Sequence, residues 1–223
     1  MKHFFLYLLI VIAVPYYGQN AIIKKLKNIK NVDKAIIEAE SILKIAEASN
    51  KDTLYLETGI FLASKYNTKS RFKDAKLLID NCFIKTTRNK FLKQKGYLII
   101  QLASNYKLQS DNAQALDEYF KAHEIFIALK DSSGILRAEI ELAECFRRIG
   151  DYTEASKWIS KSFCLIKSFN KDSSLLLKLY GRAAAIKNET GHGDSAIFLS
   201  LKAIKIAKKL KDSLTLGHTL NEL

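Results

Sequence analysis

Side chains able to carry chemistry are few in this chain, and their spacing is unhelpful to catalysis. Four histidines occur, His3, His123, His192 and His218. None falls in a His-Glu-x-x-His arrangement or beside a suitably spaced carboxylate set, so zinc hydrolysis lacks its ligands. His192 lies in Gly191-His192-Gly193-Asp194, which has the glycines of a phosphate loop. No strand leads into it and no Lys-Ser/Thr follows, so it reads as a turn between two helices. A nucleophile elbow, a Walker loop, a kinase set and a dinucleotide fingerprint are all missing. No enzyme activity, cofactor or metal is expected.

Cys82, Cys145 and Cys164 all fall in predicted helices, with no Cys-x-x-Cys pair. Cys145 lies two-thirds along one helix and Cys164 late in its antiparallel partner. At about 1.5 Å per residue their heights differ by roughly 9 Å, beyond disulfide reach. Three buried thiols acting as small apolar side chains are expected. Lys202, Lys205, Lys208, Lys209 and Lys211 stand three apart or adjacent on one outer helix. A solvated convex face is the plain reading, and anionic lipid or an acidic partner the sharper one.

The elements that hold these residues are predicted to be helices. Of 223 residues 48% are apolar, with 9 Gly and one Pro. That is too apolar for disorder and too poor in turn formers for a sandwich of strands. Lys2, an apolar run from Phe4 to Val14, and a Pro15-Tyr16-Tyr17-Gly18 exit have the order of a secretory signal. Residues 1–18 are read as that signal, too short to span a bilayer comfortably, and the chain is expected to be exported, periplasmic or extracellular. The exit carries no Cys to acylate. A net charge of +13 could favour nucleic acid, anionic lipid or acidic ligands, but export removes nucleic acid as a partner of this segment.

Beyond Asn20 the chain repeats itself. Ala35, Ala75, Ala115, Ala155 and Ala196 stand 40, 40, 40 and 41 residues apart, and Ala63, Ala103, Ala143 and Ala184 stand 40, 40 and 41 apart. Leu62, Leu102 and Leu142 precede the second series, and Tyr66, Tyr106 and Phe146 follow it by three. Within one period Ile140, Ala143, Phe146 and Ile149 form an apolar stripe, Gly150-Asp151 break it, and Tyr152, Ala155, Ile159 and Phe163 form a second. Each period is thus two antiparallel helices. Where they cross, only a methyl lets the backbones approach. Lys51-Asp52-Thr53, Lys130-Asp131-Ser132, Lys171-Asp172-Ser173 and Lys211-Asp212-Ser213 mark the joints, where an acid or hydroxyl can cap the next helix.

The order Leu142-Ala143, Phe146, Gly150-Asp151-Tyr152, Ala155, Ile159, Ser162 resembles the tetratricopeptide repeat (TPR). The match runs through units 56–91, 92–131, 132–172 and 173–212, behind a degenerate unit 21–52 and ahead of an incomplete one at 213–223. The period is 40 rather than the usual 34 or so, the large fourth-position residue is Gly59, Ile99 or Glu139, and the terminal proline is absent. The last unit has Lys187 in the aromatic column and Ala183 in the leucine column. The fold implied is an all-α, right-handed α-solenoid of antiparallel helix pairs over 19–223, with stacking neighbours sharing one core. Because Leu223 holds the leucine column of a helix with no partner, a fragment of a longer protein is expected.

The resemblance places the first helices on a concave groove. By column the lining is Asn67, Tyr97, Gln101, Ser104, Lys107, Arg137, Glu141, Glu144, Arg147, Arg148, Lys178 and Arg182. Arginine forks grip carboxylates, so a protein or peptide with an acidic segment or carboxy terminus is the expected ligand; ordinary solvated helix faces are the plain alternative. The lysine and asparagine clamp of chaperone-binding members is not present, since its columns read Ile60, Ile100, Ile140, Gly181 and Ser64, Ser104, Glu144, Ala185. The resemblance implies a non-catalytic exported scaffold, the N-terminal sensor part of a histidine kinase or helix-turn-helix regulator, membrane-tethered only through its signal or a missing C-terminal region. The alternative is a complete secreted binding protein that self-associates through its uncapped helix from Ser213 to Leu223.

Overall fold

Alanine at every fortieth position is a packing requirement, and the structure puts those methyls inside. Ala35, Ala75, Ala115, Ala155, Ala63, Ala103 and Ala143 are fully buried, and Ala184 and Ala196 nearly so. The computed structural model describes residues 18–87, 89–166 and 173–210. Among these there are ten α-helices and no strand. The segment read as a secretory signal lies outside them up to residue 17, as does the incomplete unit at 213–223.

The chain divides between Gln109 and Ser110 into two compact units. The first holds α1 (Gln19–Lys27), α2 (Val32–Ala48), α3 (Asp52–Thr68), α4 (Phe72–Lys85), a 3-10 turn at Asn89–Phe91, and α5 (Leu92–Leu108). The second holds α6 (Asn112–Ala128), α7 (Ser132–Arg148), α8 (Tyr152–Ile166), α9 (Ser173–Glu189) and α10 (Gly193–Leu210). The division falls inside the repeat read at 92–131. In the first unit α3 packs on α2, α4 and α5, and α1 leans on α2 and α3. In the second α7 packs on α6, α8 and α9, and α9 on α10. Leu54, Leu56, Leu62, Ile79 and Leu98 fill the first core, and Tyr119, Phe126, Leu136, Leu142 and Leu175 lie fully buried in the second. Helix α3 begins one turn ahead of the boundary read at 56.

The turns repeat as closely as the cores. Ser70, Ser110, Gly150 and Gly191 all have positive φ, at 57°, 66°, 85° and 76°. Behind three of them the next amide reaches back across the helix end: Arg71 to Tyr66, Asp151 to Phe146 and His192 to Lys187, at 2.8–2.9 Å. This is a left-handed C-terminal cap, which satisfies the last carbonyls and turns the chain. Asn50 and Lys130 adopt it at the other joints. Gly191-His192-Gly193 is therefore a helix-ending turn.

The capping expectation holds at Asp131, whose carboxylate accepts from Gly134 N–H at 3.3 Å. It fails at Lys51-Asp52-Thr53, where Lys51 is the cap and makes no side-chain bond, and Asp52 instead meets Lys85 at 3.4 Å. The Lys171 and Lys211 joints lie outside the described residues. Asp111 and Asp151 do the capping inside pairs, accepting from Gln114 and Glu154 N–H at 3.1 and 3.0 Å.

Candidate functional site

The twelve candidate residues fall into two groups. Asn67 on α3 and Tyr97, Gln101, Ser104 and Lys107 on α5 belong to the first unit. Arg137, Glu141, Glu144, Arg147 and Arg148 on α7, with Lys178 and Arg182 on α9, belong to the second.

In the first group the polar groups tie helices together. Asn67 is buried; its amide donates to the Gln101 carbonyl at 3.0 Å and accepts from Asn105 at 2.7 Å. Asn105 also donates to the Phe72 carbonyl at 3.0 Å and accepts from Gln109 at 2.8 Å. This amide chain joins α3, α4 and α5, so Asn67 is occupied inside the unit. Lys107 is buried too, and Tyr97, Gln101 and Ser104 are half-buried.

The second group converges on a carboxylate. Glu144 is only 4% exposed. Arg147 donates to both its oxygens, at 2.8 Å from Nε and 3.0 Å from Nη2. Arg182 Nη1 stands 3.4 Å away and Arg148 Nε 3.7 Å away. Arg147 also pairs with Glu189 at the end of α9. Hydrogen bonding to Glu144, reinforced by both carboxylates against the effect of burial, pushes the Arg147 guanidinium above its ordinary value. One turn back Lys178 meets the buried Glu141 at 3.2 Å. Arg137 is half-buried, with a buried Nε that finds no hydrogen-bond acceptor. A buried carboxylate needs such partners, because an unpaired charge away from water is costly. Among the pairs described, Arg147, Arg148 and Arg182 surround Glu144, and Lys178 meets Glu141.

No protein-family model and no curated protein matches the chain. Solved structures do. BtubC (BKLC) from P. vanneervenii matches at 14% identity and TM-score 0.65, over 87% of this chain and 85% of that one. A Rap protein complexed with Competence and Sporulation Factor matches at 14% and 0.61, over 82% of this chain and 61% of the Rap chain. A Podosopora anserina protein of nearly identical TPR-like repeats matches at 15% and 0.58, over 87% of this chain and 94% of that one. The chain has a TPR-like fold. In the TPR-like pairing α3, α5, α7 and α9 are first helices, and α4, α6, α8 and α10 second helices.

The TPR-like frame also shows what the sequence reading missed. Glu139 fills the column that is Gly59 two pairs earlier, and faces the small-residue column of the next helix. A side chain at Gly59 would meet Cys82 Sγ at 2.5 Å, so glycine makes room for sulfur. At the equivalent pair Ser162 Oγ donates to Glu139 at 3.2 Å, and His123 Nε2 lies 3.6 Å from the other oxygen. The matched 23-residue separations, Gly59 to Cys82 and Glu139 to Ser162, are the signal that could have found it. His123 stacks edge-on against Trp158 at 5.3 Å. The carboxylate takes the serine hydrogen bond, so the imidazole is not arranged to activate that hydroxyl. Among the described residues no three metal-ligating side chains converge. The expectation of three buried thiols needs one correction: Cys82 and Cys145 are buried, but Cys164 is exposed. It sits on the outer side of α8, away from the Trp158, Ile159, Ser162 and Ile166 face that packs inward.

Proposed function

We propose that the chain is a non-catalytic interaction scaffold that takes a carboxylate-bearing protein or peptide on the first-helix face of α7 and α9. The observation that carries this reading is the arginine cluster around Glu144. Its two outer guanidiniums, Arg148 and Arg182, keep side-chain exposures of 34% and 39% while the carboxylate beneath is buried. A carboxylate arriving from solvent meets planar donors already oriented by Glu144, and guanidinium forks hold such groups bidentately. That the Rap protein was solved with Competence and Sporulation Factor supports ligand binding on this architecture.

Fluorescence anisotropy with a labelled oligoglutamate tests it. Binding weakens as salt rises, and Arg148→Glu with Arg182→Glu lowers affinity by about tenfold or more. Equal binding by both forms overturns the reading. Arg147 is left intact because it is committed to Glu144 and Glu189.

The proposal extends to location: the chain is exported, on the strength of the Phe4 to Val14 run and its polar exit. Residues 1–24 fused to alkaline phosphatase lacking its own signal yield periplasmic activity; an inactive, intracellular fusion contradicts export.

A further inference from the structure

The outer side of α10 is unlike that of the other second helices. Its inner side, Ala196, Ser200, Ala203, Ile204 and Ala207, is buried. On the other side Ile197, Phe198 and Leu201 stand 48%, 58% and 55% exposed within five residues. On α4 and α6 the exposed large apolar side chains stand two turns apart, Leu77 and Ile84 on the one and Phe120 and Ile127 on the other. Lys202, Lys205, Lys208 and Lys209 are exposed beside the three. At about 100° per residue all seven fall in one sector of roughly 140°. Lys202 Nζ lies over the Phe198 ring, 4.3 Å from its centre, and 5.4 Å from the centre of the Tyr180 ring, so charge and apolar surface adjoin on this face. Asp194, in the first turn, is the sole acid of the helix.

We infer that this face of α10 docks on an anionic lipid surface. The exposed trio supplies an apolar wedge of the kind that interfacial helices bury at the headgroup boundary. Four lysines around it complement a negatively charged leaflet. The contrast with α7 and α9 matters to the choice of partner. There the cations are mainly planar arginine forks fixed on a carboxylate; here they are lysines, mobile point charges suited to headgroups that move. No described helix is long and apolar enough to cross a membrane, so α10 would lie along the surface with its inner side still packed on α9. The inference stands apart from the peptide-binding reading, since none of its residues touches Glu144.

Cosedimentation of the full chain with vesicles of phosphatidylcholine, alone or with about a third phosphatidylglycerol, tests it. The chain binds the anionic vesicles and releases them as salt rises. Losing a lysine near the surface weakens partitioning by about fivefold, so Lys202→Gln with Lys205→Gln, Lys208→Gln and Lys209→Gln loses more than about a hundredfold. Phe198→Ser with Leu201→Ser loses about tenfold or more, and because these side chains are already in solvent the helical circular dichroism stays unchanged. Equal binding of both vesicle types, or of wild type and both variants, overturns the inference. So does absent vesicle binding, whether the chain instead captures oligoglutamate through α10 or forms a dimer that the Phe198→Ser, Leu201→Ser variant abolishes.

Discussion

Glu144 shows what a sequence can and cannot say about a single residue. Its column places it on a first helix, and its charge suggests solvent. Nothing local announces that Arg147 and Arg148 fold over it, three and four residues on, or that Arg182 arrives from the next first helix to complete the shell. Removing the carboxylate leaves three guanidiniums facing each other. Glu144→Ala is therefore expected to cost about 3 kcal/mol, the scale for breaking a buried ion cluster from one side, read as a lowered urea midpoint at unchanged slope. Exposure likewise separates the cysteines. Burial pushes the Cys82 thiol up to about 12, so near neutral pH it is protonated as well as covered. Cys164 is expected to react with a thiol reagent in the folded chain, and Cys82 and Cys145 only after denaturation, as counted by mass spectrometry. Early labelling of Cys82 would contradict the packing around Gly59.

At the scale of helices the sequence was most legible, because a close crossing restricts side-chain size in a way the chain must repeat. The alanine columns mark crossings at Ala63, Ala103 and Ala143, and all three are fully buried. Ala143→Leu should overpack its crossing by about 1–3 kcal/mol, and an unchanged melting temperature would contradict the assignment. Turns were less legible. Gly150 and Gly191 declare a left-handed turn, but Ser70, Ser110 and Lys130 adopt the same conformation with ordinary residues. The helix-ending hydrogen bonds impose that geometry, against a penalty of about 1–2 kcal/mol for a side chain. Lys130→Gly should consequently raise stability by about 0.5–1 kcal/mol, and Gly150→Ala should lower it by about 1 kcal/mol. Thermal unfolding of the two variants shifts in opposite directions; shifts of the same sign would refute the turn account.

Over the whole molecule the sequence reading ran the repeat straight through the point where the structure divides. The echo continues across Gln109 and Ser110, from Ala103 to Ala143 and from Ala75 to Ala115, because each column records contacts with immediate neighbours. It carries no information on where a longer array separates into compact units. Nor did it distinguish polar residues that tie helices from those that face a partner. Asn67 and Glu144 were both expected to line the groove, yet Asn67 is consumed by Asn105 and Gln101 while Glu144 orients arginines that stay partly exposed. The binding proposal depends on that difference. Its most direct test is a titration of the isotopically labelled chain with oligoglutamate, followed by backbone amide chemical shifts. The largest changes are expected along α7 and α9 around Arg148 and Arg182, with α4 and α8 undisturbed. Changes confined to the lysines of α10, or none at all, would contradict the account.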